Sequence, residues 1–159
     1  MESTSLCFPI AADGRFLLGQ KKSGFGSGKW NGFGGKRKPG ESFVDCAVRE
    51  VREECGLIVQ QKDLIQVGYL DFRFPYSPDL SHDGWIYFIK EWQGTVTETP
   101  EMAPQWFDVS QIPYDNMWKA DRAWLPQLLK GKLIIGYVSF GDDNDSVWDV
   151  RIKRVDSFD

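Results

Sequence analysis

GKRKPGESFVDCAVREVREECGL, residues 35–57, is the stretch on which the reading of the chain turns. Gly35 and Glu41 lie in a loop of glycine, lysine and proline, and Arg49, Glu50, Glu53 and Glu54 follow at helical spacing. Side chains three and four positions apart sit side by side on a helix, so the three glutamates gather their carboxylates along one edge. Like charges brought together repel and raise at least one pKa. An oxygen-seeking cation, Mg²⁺ or Mn²⁺, resolves that conflict and can bridge to phosphate oxygens. Val44, Ala47, Val48 and Val51 recur on another face, so the same helix is expected to face a core as well. Ser42 with Asp45 resembles a capping box, and Gly56 suits the left-handed position that ends a helix. Arg49, with Asp45 and Glu53 each four residues away, is expected to orient carboxylates by ion pairing. For the three glutamates alone, a solvated acidic face is the competing reading.

The surrounding chain narrows the possibilities. Its 159 residues are expected to form a single domain, 1–159, with enough apolar and aromatic content for a core. The N-terminal MESTSLCFPIAADG lacks a basic region followed by a long apolar run, and no stretch is long enough to span a membrane. Cys7, Cys46 and Cys55 are an odd number with no CxxC or zinc-like spacing, which points to a reducing, cytoplasmic setting. His82, the one histidine, sits in the polar run SPDLSHDG, so a nucleophilic triad has little support and a loop residue is the expectation. A net charge of −4 argues against binding long nucleic acid. The segment from Lys21 to Lys38 nevertheless carries six basic residues and no acidic one, which suits a small polyanion beside the acidic helix. The expected partner is a small molecule, a polyanion such as a triphosphate, and the expected state a monomer.

Strand-like runs fall at about Leu6–Ala11, Phe16–Lys21, Leu64–Phe74, Trp85–Gln93, Gln105–Asp108, Leu133–Phe140 and Val147–Val155. Turns are expected at Asp13-Gly14, Pro75–Gly84 and Gly141–Asp145, the last a hairpin. A second helix is expected near Asp121–Lys130, carrying Trp124, Leu125, Leu128 and Leu129. Few helices among many strands point to an α/β fold with a mixed sheet covered on its faces. Pro9, inside SLCFPI, marks an edge position or a bulge.

Residues 35–57 resemble the Nudix box, G-x5-E-x7-R-E-U-x-E-E-x-G-U with U bulky and apolar, and meet every fixed position of it. With Gly35, Glu41, Arg49 and Gly56 in register, the solvated-face reading recedes. The resemblance implies a Nudix α/β/α sandwich with a loop-helix-loop motif, and metal-dependent hydrolysis of a diphosphate joined to a nucleoside-like group. GQKKSGFGSGKWNGFGGK, EMAPQWFDVSQIPYDNMW and WKADRAWLP look like the oxidised-purine nucleoside triphosphatases, the MutT-related 8-oxo-dGTP diphosphatases. By that resemblance Ser5, Phe25, Asn31, Phe72, Met102, Trp118, Asp121 and Trp124 line or support a base pocket, with Lys21 on the substrate. Trp118 and Phe25 would cover the faces of a flat purine while Asn31 and Asp121 address its edge. Core packing competes for Phe25, Phe72 and Trp124, and a helix N-cap competes for Asp121. The subgroup commonly carries two adjacent aspartates where this chain has Ala120 and Asp121. The loss of one edge group is expected to shift or broaden base preference.

The resemblance further implies metal ligation by Gly35, Glu50, Glu53 and Glu54, and water attack between the α and β phosphorus atoms, releasing a monophosphate and pyrophosphate. Arg49 would orient the carboxylates and Glu41 brace the loop. Glu50, Glu53 and Glu101 all match positions given the general-base role in one family member or another, and a solvated loop is the competing place for Glu101. Two alternatives stay open: another substrate with the same linkage (nucleotide sugar, dinucleoside polyphosphate, capped RNA, diphosphoinositol), or a non-catalytic nucleotide sensor.

Overall fold

In the computed structural model, which describes residues 2–159, ten elements build two sheets and two helices. In chain order they are β1 (Glu2–Pro9), β2 (Phe16–Lys21), β3 (Trp30–Asn31), α1 (Phe43–Cys55), β4 (Leu64–Arg73), β5 (His82–Ile89), β6 (Met102–Phe107), α2 (Asp121–Leu129), β7 (Leu133–Phe140) and β8 (Val147–Val155). The larger sheet runs β1-β5-β4-β7-β8, and the smaller β3-β2-β6. β1 pairs β5 and β4 pairs β7 in parallel, whereas β4–β5 and β7–β8 are antiparallel. The sheet is therefore mixed, as anticipated.

Strand alternation sends neighbouring side chains to opposite faces, and the two cores follow from it. On one face Phe8, Leu70, Ile86, Phe88 and Ile134 pack with Trp124, Leu125 and Leu128 of α2. On the other, Cys7, Tyr87 and Ile89 pack with Ala47, Val51 and Cys55 of α1. β2 serves both, with Phe16 and Leu18 in the first core and Leu17 in the second. One helix thus covers each face of the sheet, the α/β/α sandwich the resemblance implied.

β2, β7 and β8 begin and end where their apolar patterns do. Elsewhere pairing extends beyond the pattern. β1 starts at Glu2 and not Leu6, because the polar Glu2–Ser5 run aligns in parallel with His82–Trp85. β5 correspondingly opens at His82, inside the expected turn, and stops at Ile89 before Gln93. β6 starts at Met102, three residues before Gln105, because Lys21, Gln20 and Gly19 pair with Met102, Ala103 and Pro104. The two-residue β3 was not anticipated. Pro9 ends β1, the outermost strand of its sheet, in agreement with the expected edge position. The Gly141–Asp145 run does form the turn of the β7–β8 hairpin.

Leu125 is fully buried in the α2-side core and lines no cavity. Leu125→Ala is expected to lower the free energy of unfolding in urea by about 3 kcal/mol, with an almost unchanged denaturant slope.

Candidate functional site

α1 is fixed at both ends by its own sequence. The Ser42 hydroxyl accepts from Asp45 N at 3.0 Å, and Gly56, at φ +79, donates its N–H to Arg52 O at 3.0 Å. The reciprocal half of the capping box does not form, because the Asp45 carboxylate accepts from Gln61 Nε2 at 2.6 Å instead.

That diversion also corrects the expected pairing of Arg49. Its guanidinium grips Glu41 in a two-pronged contact, Nε to Oε1 at 2.6 Å and Nη2 to Oε2 at 3.0 Å, the strong geometry for this pair. It reaches Glu50 Oε1 at 2.8 Å, Glu53 Oε2 at 3.2 Å and the Lys36 carbonyl at 3.2 Å, but not Asp45. Glu41 also accepts from Lys38 N at 2.9 Å. The Arg49 hydrogen bonds, with that of Lys38, hold its carboxyl down to about 2. One arginine therefore ties the loop before the helix to two of the three box glutamates.

Glu54 has no such partner. It is buried, with only Gly34 N donating to Oε1 at 2.7 Å. Burial raises its carboxyl to about 8, and the charges of Glu50 and Glu101 push the same way. Burial likewise raises Glu50, against the opposing pull of Arg49. Glu53 is the outermost, with its side chain half exposed. The loop approaches closely because it lacks side chains. A Cβ on Gly34 would stand 1.8 Å from Ser5 O, and one on Gly35 would stand 2.6 Å from Glu50 Oε1. Among the described residues no three acidic, histidine or cysteine side chains converge as a ready metal cage, since Arg49 holds Glu50 and Glu53 while Glu54 faces Gly34. The oxygen donors are nonetheless of the hard type that Mg²⁺ and Mn²⁺ take. The buried carboxyl of Glu54, with no basic side chain bonded to it, fits a cation brought from outside.

Beside these glutamates opens a cavity of about 240 Å³. All nine residues expected around the substrate line it: Ser5, Lys21, Phe25, Asn31, Phe72, Met102, Trp118, Asp121 and Trp124. So do Gly35 and Glu54, which join the cavity to the box. Arg49, Glu50, Glu53 and Glu101 do not line it. Glu101 is exposed on the approach to β6 and acts on Glu50 and Glu54 only through its charge.

Several of these residues sit differently from expectation. The Phe25 and Trp118 rings lie 4.9 Å apart at 40°, whereas a base between them would require about 7 Å. They form one continuous wall and not two opposed plates. Asp121 is the first residue of α2, and Ala120 holds the N-cap place, so the N-cap reading of Asp121 is set aside. Its side chain is buried, and neither its Oδ2 nor the nearby Trp124 Nε1 reaches a hydrogen-bond partner. Burial raises this carboxyl to about 8, toward the protonated form that can donate. Asn31 accepts from Gly32 N at 2.9 Å through its side-chain oxygen. The Lys21 ammonium donates to Phe25 O at 2.6 Å. Ala120 does not line the cavity. It packs with Phe74, Val138 and Phe140 in a small cluster behind the wall.

His82 was expected in a loop and instead opens β5 and lines the cavity. Its Nδ1 lies 2.7 Å from the Leu80 carbonyl, so Nδ1 is the donor, and its ring rests 5.1 Å from Phe72 and 6.1 Å from Phe74. Phe74, Phe140 and Lys29 also line the cavity without having been anticipated. Phe74 and Phe140 end apolar runs, where periodicity speaks only of core. Lys29 was legible merely as one lysine of the basic segment.

Of the three raised carboxyls, Glu54 and Asp121, the two raised to about 8, dominate the pH response of the metal-free protein. A group whose folded pKa lies above its unfolded value stabilises fully below the unfolded value and loses that contribution as pH rises through the folded one. Glu54 moves from 4.5 and Asp121 from 3.8, each to about 8. In EDTA, unfolding free energy is therefore expected to fall between about pH 5 and 8, by up to about 1.4 kcal/mol per pH unit for each group. Glu54→Gln should halve that slope, and the gain in Tm on adding Mg²⁺ should be larger at pH 8 than at pH 6. Gly35→Ala should displace Glu50 and abolish the Mg²⁺ gain while the fold persists.

The NUDIX domain model matches residues 2–128. An oxidized purine nucleoside triphosphate hydrolase of Mus musculus is 46% identical over 144 residues, covering 91% of this chain and 90% of the relative. The protein of that description from Danio rerio is 44% identical over 147 residues, covering 92% of each. Among solved structures, a MutT protein from Bacillus halodurans superposes with a TM-score of 0.82 at 21% identity, covering 96% of this chain and 98% of the other. Nudix hydrolases generally need divalent metal ions. With its complete box, its sandwich fold and these relatives, the chain belongs to the Nudix family.

Proposed function

We propose that this hydrolase acts on oxidised or otherwise modified purine nucleoside triphosphates, releasing the nucleoside monophosphate and pyrophosphate with Mg²⁺, or Mn²⁺ in its place. The observation that carries the reading is the cavity, in which an aromatic wall, Asn31 and a buried Asp121 share one space with Gly35 and Glu54 of the box. The two relatives named for oxidized purine substrates support the same class. As a working picture, the protein is a single-domain, cytoplasmic monomer.

Each part of the site has a task on this reading. Trp118 and Phe25 offer one stacking surface to a face of the base, a contact worth roughly 1–3 kcal/mol and tolerant of base identity. Choice then falls to the edge, where the Asn31 amide and the Asp121 carboxyl address donors and acceptors. A mismatch that leaves either group buried and unpaired costs roughly 1–3 kcal/mol. Gly35, Glu50, Glu53 and Glu54 would hold the divalent ion, which supplies charge neutralisation at the phosphates and a more acidic bound water. Arg49 keeps Glu50 and Glu53 oriented, and its grip on Glu41 fixes the loop that carries Gly35. Of the candidate bases Glu50, Glu53 and Glu101, we assign Glu53, the most exposed of the box carboxylates and the one held by the longest of Arg49's contacts to them. With Ala120 behind the wall, Asp121 is the one carboxyl of that segment facing the cavity. We infer a preference broader than one oxidised guanine.

A steady-state panel of 8-oxo-dGTP, 2-oxo-dATP, O6-methyl-dGTP and the four normal dNTPs, with products analysed, tests this. Monophosphate plus pyrophosphate from more than one modified purine is expected. Turnover of a nucleotide sugar, dinucleoside polyphosphate or capped RNA in preference to every dNTP would remove the substrate assignment, and tight binding without turnover would favour a sensor. Glu53→Gln should lower kcat by about 10²- to 10⁴-fold. Asp121→Asn, which cannot switch between donor and acceptor by protonation, should change the ranking of bases more than kcat on the best of them.

A further inference from the structure

The β7–β8 turn lies beyond residue 128, where the match to the NUDIX domain model ends, yet it reaches back to the cavity. Asp143 builds the turn, its carboxylate accepting from Asp145 N at 3.0 Å, Ser146 N at 2.7 Å and Ser146 Oγ at 2.5 Å. Asn144, at φ +57, is the one non-glycine residue with positive φ among the described residues. Its side-chain amide donates to Ser77 Oγ at 3.0 Å, tying the turn to the segment between β4 and β5. A turn held this way presents Asp145 in a fixed direction. Asp145 Oδ1 accepts from Lys119 N at 3.1 Å, and Oδ2 accepts from Lys29 Nζ at 3.4 Å. The Lys29 and Asp145 side chains are 28% and 22% exposed, so this pair is screened less than a surface pair. The Lys29 ammonium in turn lies 5.1 Å from the Trp118 ring centroid, within cation–π range. Trp118 and Lys29 both line the cavity.

We propose that Asp145 is a positioning residue for base recognition, which sets the plane of the Trp118 indole by fixing the backbone beside it and the ammonium above it. The inference rests on the purine triphosphate reading for its consequence, though not for its geometry. Trp118 belongs to no strand or helix, so sheet pairing does not orient it. Gly26, from the same loop as Lys29, passes so close that a Cβ there would stand 3.0 Å from Trp118 Cζ2. Three segments remote in sequence therefore converge on this one ring, and Asp145 is the group that bonds to the other two. Without its carboxylate, Lys29 loses its counter-ion, and the backbone after Trp118 loses its acceptor. The aromatic wall then loses its fixed angle while Arg49 and the glutamates are untouched.

The test uses the full chain with Asp145→Asn, Asp145→Glu, Lys29→Met and the Asp145→Asn/Lys29→Met double variant. Asp145→Asn should raise KM for the best purine triphosphate about tenfold, the loss of one charge-assisted contact, with kcat near the wild-type value. Asp145→Glu should recover most of it, and the double variant should be little worse than either single. An unchanged KM, a fall in kcat without a change in KM, or full additivity of the two singles would overturn the assignment. A second measurement does not depend on the substrate: acrylamide quenching of Trp118 emission, isolated as the difference between each protein and its Trp118→Phe counterpart. Quenching should rise in Asp145→Asn, and unchanged quenching overturns the proposal. If the wild-type protein hydrolyses no purine triphosphate, the substrate reading fails by itself and the quenching result still decides the role of Asp145.

Discussion

A carboxyl group placed out of water with no basic side chain bonded to it is the constraint around which this structure is arranged. Glu54 lies at the inner end of α1, where one backbone N–H is its only hydrogen-bond donor. Lys21, whose charge acts on it, donates to the Phe25 carbonyl instead, and Arg49 is engaged with Glu41, Glu50 and Glu53. Burying a charge without a partner is costly, so the group takes up a proton instead. A proton and a divalent cation compete for the same oxygens. The protein is thus folded so that its metal-free form is electrostatically incomplete, and the incompleteness faces the cavity.

Two further features serve that arrangement. The loop Gly32–Gly35 can lie against β1 and Glu50 only because Gly34 and Gly35 lack side chains. Arg49 then fastens the far end of this loop through Glu41 and the Lys36 carbonyl. The base cavity meets this rigid corner from the α2 side of the sheet, where Phe72 and His82 project as directly paired residues. Gly84, two residues further along β5, leaves space above the Phe72 ring. Electrostatics is therefore concentrated at one end of the cavity and aromatic surface at the other, as a substrate with a charged tail and a flat head requires.

What could be read from the sequence followed the range of each interaction. Box spacing gave α1 and its caps because those contacts span three or four residues. The ends of β2, β7 and β8 were legible because their apolar runs coincide with their pairing. Glu2–Ser5 and His82 were not, since those polar residues become strand only through each other, some 80 residues apart. Of the two partners expected for Arg49, Glu53 is met and Asp45 is not, because Gln61 draws Asp45 away from outside the helix. Family resemblance named many of the residues that line the cavity, yet the mutual contact of Phe25 and Trp118 is a matter of loop packing that no spacing encodes. His82 and Lys29 lie within polar and basic runs whose composition speaks for solvent.

The parallel pairing of β1 with β5 has a consequence for how the chain comes to be folded at all. β1 leaves the ribosome ahead of its partner in the larger sheet, which follows some 80 residues later. At about 5–20 residues per second, translation leaves β1 unpaired in the larger sheet for about 4–16 seconds. During that interval the Gly32–Gly35 loop, which bonds to β1 through Ser5 and Cys7, is made before the sheet it will rest on exists. The loop beside the box glutamates is therefore synthesised well before β5, the strand that completes its support.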